Sequence, residues 1–286
     1  MAATVITIAI EKGGTGKTVT ASNLAYLMGD EGKKVLCVDT DPQGNLTTAL
    51  SAEQISSPLF KGKGLYNLLD AFKYRTIDEF IMETNYENVD MIPCNAETPR
   101  INKRIDDLIE DAETADDDDE RKNASHDGKG YGFLEYFLNQ VKDKYDYIII
   151  DTQPTRDAIL LMNALAASDF VLIPMIADSN AEQSAFRTFS VCNILKNSDE
   201  YHLKGAGVFV SNFDKNSAVG RLIKEQCERK LGDSLFKTVV PSSRSVSMSV
   251  TKHLPVCYTA KTQPVAKAFV NLYSELKTRI AELEEN

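Results

Sequence analysis

Nowhere in its 286 residues does the chain carry an apolar run approaching the roughly 20 residues needed to cross a bilayer. Its five cysteines, Cys37, Cys94, Cys192, Cys227 and Cys257, stand far apart with no CxxC pair. That spacing argues against a disulfide framework or a metal site and predicts reduced thiols, several of them in the core. The first ten residues already read as a strand, so no signal peptide is expected ahead of the fold. No internal repeat and no sign of a second domain interrupts residues 1–286, which read as a single domain. Basic residues are missing most conspicuously between Asp106 and Glu120, where ten acidic residues stand and no lysine or arginine does. Those ten equal the whole formal net charge of −10, so the rest of the chain is neutral. From about residue 106 to 130, with Asp116-Asp117-Asp118-Asp119 at the centre, the chain reads as a mobile acidic insert after a helix starting near Pro99.

What is present fits a globular protein, with 43% hydrophobic and 26% charged residues. Strand and helix signals alternate. Thr4–Ile10 is a hydrophobic strand, Thr20–Gly29 reads as an amphipathic helix, and Lys34–Asp39 is a buried strand ending in acid. Further strands are read at Val89–Pro93, Tyr145–Asp151, Asp169–Pro174, Gly205–Ser211 and Lys237–Pro241. Near-continuous Val/Ile runs separated by helices predict an α/β fold: a doubly wound, mostly parallel sheet with helices on both faces. Ligands of such sheets bind at the carboxyl ends of the strands. Pro264–Glu285 places Val265, Phe269, Leu272, Leu276, Ile280 and Leu283 at helical spacing and ends in acidic residues, which predicts a docked helix rather than a membrane anchor.

The chemistry concentrates where the first strand meets Glu11-Lys12-Gly13-Gly14-Thr15-Gly16-Lys17-Thr18. A glycine loop opening a helix is an anion site, because bare N–H groups and the positive end of the helix dipole face the ligand. In a GK[ST] ending, Lys17 reaches the β- and γ-phosphates and the Thr18 hydroxyl ligates Mg²⁺. Phosphoryl transfer also needs carboxylates near the metal and a group that orients the attacking water. Strand ends offer Asp151, after Ile148-Ile149-Ile150, and both Asp39 and Asp41, in Asp39-Thr40-Asp41-Pro42-Gln43-Gly44-Asn45. A lone aspartate there is an ordinary turn former; three beside one phosphate loop point to function. Between Tyr201 and Asn271, eleven lysines and arginines face four acidic residues. A basic surface and a solvated mixed surface are both compatible with that surplus.

Four blocks carry a family resemblance: Lys12–Thr18, Asp39–Asn45, Ile150-Asp151-Thr152-Gln153-Pro154 with Leu161–Leu165, and Phe236–Pro241. Together the chain resembles ParA-type partition ATPases, members of the deviant Walker A group, and the blocks span nearly its whole length. The resemblance implies a P-loop NTPase fold and an ATP- and Mg²⁺-dependent cycle. Lys12 is similar to the signature lysine that reaches across an ATP-sandwiched homodimer to the partner's phosphates. Gly13, Gly14, Thr15, Gly16 and Val19 complete the cradle, and Asp41 resembles the residue that positions the hydrolytic water. Thr18, Asp39 and Asp151 are implied near the metal, and residues 151–157 look like switch II. Asn212 and Pro241 fall where the family holds adenine, with Ser211 and Asp214 as alternatives to Asn212.

By the same resemblance, the ATP dimer binds DNA non-specifically in the cytoplasm, on the nucleoid, and a ParB-like centromere-binding protein stimulates hydrolysis and release. Arg221, Lys224, Arg244, Lys252 and Lys261 are the DNA-contact candidates, each of which also reads as an ordinary solvent-exposed cation. Where the family usually shows arginines the chain has Ser242 and Ser245, and Ala218 stands at another frequently basic position. Glu11, Val19 and Gln153 also depart from the family pattern without removing a group needed for hydrolysis. The alternatives are a related ATPase that positions a protein cargo on the nucleoid, and a MinD-like regulator. The acidic C-terminal segment lacks the basic amphipathic character that a membrane-cycling regulator requires, so no membrane partner is expected.

Overall fold

The computed structural model describes residues 2–55, 68–95, 100–114, 130–155 and 159–285. Among them, eight strands form one sheet: β1 (Thr4–Ile8), β2 (Val35–Asp39), β3 (Met82–Glu83), β4 (Val89–Ile92), β5 (Tyr147–Asp151), β6 (Phe170–Ile176), β7 (Gly205–Phe213) and β8 (Leu235–Pro241). Their spatial order is β3-β4-β2-β5-β1-β6-β7-β8. Only β3 runs antiparallel, against β4; the other pairings are parallel. The chain winds outward in both directions from the centre, which opens a crevice where β1 ends.

The helices are α1 (Lys17–Asp30), α2 (Asn45–Ile55), α3 (Leu68–Tyr74), α4 (Arg100–Thr114), α5 (Phe133–Asn139) and α6 (Ile159–Ala166), followed by α7 (Ser179–Lys196), α8 (Ala218–Leu231), α9 (Arg244–Lys252), α10 (Val256–Thr259) and α11 (Pro264–Glu284). Alternate strand residues feed opposite faces, as the two-residue period of a strand requires. Ile6, Ile8 and Ile149 pack with α1, α10, α11 and the start of α2. Val5, Ile148 and Ile150 pack with α3, α4, α5 and α6. Beyond β1, Val171, Val208 and Val210 pack with α7 and α8. Both faces are therefore covered, and the doubly wound α/β expectation holds.

Local differences from the sequence reading have physical causes. α1 is not amphipathic: Ala21, Leu24, Ala25 and Met28 are fully buried, and so are Thr20 and Asn23, because α2, α10 and α11 close over its outer side. The acidic stretch does not begin as a loop, since α4 continues to Thr114. Ile101, Ile105 and Leu108 bury one stripe of α4 while Asp106 and Glu110 stay exposed, so the first acids of the run are one face of a helix. The remainder of the run, 115–129, lies outside the described residues. β3 has two residues, too few to show any period in sequence.

All five cysteines are buried, as expected of core thiols. Burial pushes Cys227 up to about 11 and Cys192 up to about 12, which leaves them protonated and unreactive. α11 docks as predicted, with Phe269, Leu272 and Leu276 in the core. Its Glu275 carboxylate accepts bonds from the Lys237 and Thr238 backbone N–H groups at 2.8 and 2.9 Å, closing part of the free edge of β8. Among the described residues, no helix is long and apolar enough to cross a membrane.

Candidate functional site

The phosphate loop leaves the carboxyl end of β1 and turns into α1. Gly14 and Gly16 adopt φ of 74° and 94°, left-handed values that residues with a Cβ rarely hold. Among the described residues, no side chain caps the N-terminus of α1. Its first-turn N–H groups and the positive end of its dipole are thus left for an anion. Lys17 is 7% exposed and curls back so that Nζ donates to the Ile10 and Lys12 carbonyl oxygens, both at 3.2 Å. Burial lowers its pKa, against the opposing pull of Asp151 and Asp41.

Three aspartates meet beside this loop and take different parts. Asp39 and Asp151 are register partners at the ends of β2 and β5, and neither is exposed. The Thr18 hydroxyl donates to Asp151 Oδ2 at 2.6 Å, while Asp151 Oδ1 is buried with no partner among the described residues. Burial first, and Asp39 second, raise the Asp151 pKa well above the carboxylate range. Burial likewise pushes Asp39 up to about 6. An orphaned buried oxygen beside a hydroxyl, in a pair of carboxyls that resist joint ionisation, fits a hard divalent cation such as Mg²⁺.

Asp39 itself faces inward. Its Oδ1 accepts from the Asp41 N–H at 3.1 Å, and its Oδ2 accepts from the Thr47 N–H and hydroxyl, both at 2.8 Å. The Thr47 hydroxyl also accepts from the Cys94 N–H at 3.0 Å, tying the loop after β2 to the segment after β4. Gly44 turns that loop at φ 60°, where a Cβ would lie 3.1 Å from the Cys94 carbonyl oxygen. This framework presents Asp41, 8% exposed, to a cavity of about 760 Å³. Neither Asp39 nor Asp151 lines that cavity, and their bonds distinguish them. The Asp39 bonds suit a loop organiser, and Thr18 with Asp151 is the pair whose geometry suits a metal.

Gly13, Gly14, Thr15, Gly16, Lys17, Thr18 and Val19 all line the same cavity, which continues past the ends of β7 and β8 to α9. Asn212 and Pro241, the expected base contacts, stand on its wall, as does Ser211, whose hydroxyl donates to the Thr15 carbonyl at 2.7 Å. Asp214 does not line it; its carboxylate accepts from the Asn216 N–H in a turn. Pro154 closes the loop side next to Gly13, and 156–158 of the expected switch II lie outside the described residues.

Lys12 points elsewhere. Its Nζ donates to both oxygens of Asp178, at 2.6 and 2.8 Å. Asp178 caps α7, accepting from the Asn180 and Ala181 N–H groups. Burial alone would raise the Asp178 pKa, but Lys12 and these N–H groups bring it below the ordinary value. The preceding Glu11 pairs with Arg187 of the same helix at 3.0 Å. Asp178, Arg187 and Thr47 were absent from the sequence reading. Asp178-Ser179-Asn180 before a helical run is an N-cap signal in the sequence, whereas nothing in it ties that cap to Lys12.

The five DNA candidates do not share one environment. Arg221 donates to the Lys215 carbonyl at 2.7 Å, Lys224 pairs with Glu228, and Lys261 lies 5.5 Å from the Tyr26 ring centre. Lys252 is exposed in the last turn of α9. Arg244 alone of the five lines the cavity.

A parallel sheet whose first strand feeds a glycine loop, with Lys17, Thr18 and Asp151 gathered behind it, defines a P-loop nucleoside triphosphatase fold. The AAA domain family model matches residues 3–204, and the chain belongs to that family. It is 29% identical over 274 residues to the sporulation initiation inhibitor protein Soj of Bacillus subtilis, covering 95% of this chain and 97% of that protein. It is 28% identical over 269 residues to the chromosome-partitioning ATPase Soj of Treponema pallidum, covering 94% and 95%. The fold also matches the ATP complex of a Cyanothece McdA variant, with a TM-score of 0.76, 19% identity and 96% of each chain covered. The ParA-type resemblance read from the four sequence blocks is borne out over the length of the chain.

Proposed function

We propose that this protein is a cytoplasmic, Mg²⁺-dependent partition ATPase that forms a homodimer around ATP, binds DNA non-specifically on the nucleoid, and is released when a ParB-like partner stimulates hydrolysis. The observation that carries this reading is that Lys17, Thr18 and Asp41 line one cavity, with Asp151 bonded behind it to the Thr18 hydroxyl and Lys12 paired with Asp178. The partition relatives supply the biological setting.

In this reading the loop N–H groups and Lys17 hold the phosphates, so Lys17 exchanges two loop carbonyls for phosphate oxygens. Thr18 and Asp151 would hold Mg²⁺, which neutralises charge on the β- and γ-phosphates when bound. Asp41, kept at the cavity wall by the Asp39–Thr47 bonds, orients the attacking water. Lys12 exchanges Asp178 for the partner subunit's phosphates, so dimerisation is coupled to ATP. A membrane-cycling role is not favoured, because the apolar stripe of α11 is already buried in the core.

Retention on DNA, measured with ATP, with ADP and for Lys12→Ala, tests the proposal. ATP-dependent retention that Lys12→Ala abolishes is expected. Binding that ignores nucleotide, or none under any condition, would refute partition while leaving ATP binding intact.

A further inference from the structure

We infer that Arg244 is a nucleotide ligand at the base-and-ribose end of the cavity, and not part of the DNA surface. The inference rests on the nucleotide-binding part of the proposed function. Arg244 opens α9, and its side chain lines the cavity that holds the phosphate loop. The acids and cations around that cavity are Lys17 and Asp41 at the phosphate end and Arg244 and His253 on the α9 side.

Arg244 is distinguished from the other described arginines by having no partner among the described residues. Arg187 holds Glu11, Arg221 holds the Lys215 carbonyl, and Arg279 holds Glu275 and two backbone carbonyls. Arg104 pairs with Asp107, Arg229 bonds the Glu225 carbonyl, and Arg75 and Arg100 are engaged as well. Arg244 makes no hydrogen bond, ion pair or ring contact with any described residue. A guanidinium is a planar set of five donors without an acceptor, suited to ring nitrogens, ribose oxygens and phosphates, and to stacking on a purine face.

Its neighbours suit a nucleobase. Pro241 and Val246 supply apolar surface, while Asn212, Ser242 and Ser247 supply polar groups along the same wall. Such a wall grips a flat heteroaromatic by its faces and reads its edge with a few polar atoms. Arg244 is exposed at the rim of that cavity, where a bound nucleotide would meet it. Arg221, Lys224, Lys252 and Lys261 stand outside this cavity, so the DNA candidates separate into Arg244 and the rest.

The test is calorimetric titration of Mg·ATP into wild type, Arg244→Ala and Arg244→Lys, each checked for an unchanged far-ultraviolet spectrum and melting curve. Losing a charge-assisted bond should weaken ATP binding by about tenfold in Arg244→Ala. Lysine, which keeps the charge but not the planar fork, should recover only part of that loss. At saturating ATP, the DNA affinity of Arg244→Ala and its dependence on salt should match wild type. An unchanged ATP affinity overturns the inference. So does a salt slope shallower by about one at saturating ATP, the signature of a lost DNA phosphate contact. If wild type binds no DNA with any nucleotide, partition fails, and the Arg244 assignment is still decided by the ATP titration.

Discussion

Replacing Asp178 by asparagine separates two jobs that one carboxylate performs. Asparagine caps a helix about as well as aspartate, so the N–H groups of Asn180 and Ala181 keep their acceptor. What is lost is the ion pair to Lys12, whose partners are 26% and 43% exposed. Pairs that open to solvent contribute about 0.2–1 kcal/mol. If Lys12 must leave Asp178 to reach the partner subunit, that amount opposes dimerisation once per subunit, or about 0.4–2 kcal/mol per dimer. Asp178→Asn should then tighten the ATP dimer by about 2- to 30-fold. The gain should shrink as salt rises, since the pair is partly screened in the wild type. Sedimentation velocity with Mg·ATP measures this, in an Asp41→Ala background where slow hydrolysis preserves the nucleotide. Combining Asp178→Asn with Lys12→Ala should remove the gain. Equal dimer constants for the Asp178 pair of proteins, both folded, would refute the claim that this contact competes with dimerisation.

Two further outcomes follow from the buried carboxylates. Thr47→Val keeps the volume but removes the hydroxyl shared by Asp39 and the Cys94 N–H, so kcat should fall at least tenfold with ATP affinity within about twofold, and Thr47→Ser should restore it. A parallel loss of affinity would mean that Thr47 supports the whole fold rather than Asp41. In nucleotide-free protein, burial pushes Asp39 up to about 6 and raises Asp151 well above the ordinary carboxylate value. A carboxyl raised in the folded state holds a proton that the unfolded chain has lost, so its contribution to stability declines as pH rises from about 4 through 6. Asp151→Asn should therefore gain melting temperature relative to wild type as pH rises above about 4, by a few degrees; a constant difference between the two curves would contradict a carboxyl raised by burial.

The sheet was legible because its cues are local. Continuous Val/Ile runs announce strands buried on both faces, and the seven strands read in the sequence all end within two residues of their predicted termini. The phosphate cradle was legible for the same reason, since glycine and lysine spacing along a few residues dictates where N–H groups can point. α1 was misread because a periodic pattern records only the side chains, and α2, α10 and α11 arrive from elsewhere in the chain to cover the rest. The helical start of the acidic run was masked by charge density, although Ile101, Ile105 and Leu108 carry its buried stripe.

The sequence by itself therefore determined the fold class, the phosphate loop and the carboxylates around it, all written in short-range patterns of side-chain size and charge. Only the tertiary structure decided what those groups touch. Lys12 finds Asp178 across 166 positions, Asp39 turns inward to Thr47, and Arg244 lines the nucleotide cavity. Such partners are chosen by how distant elements pack, because an ion pair or hydrogen bond acts over a few ångströms whatever the separation along the chain.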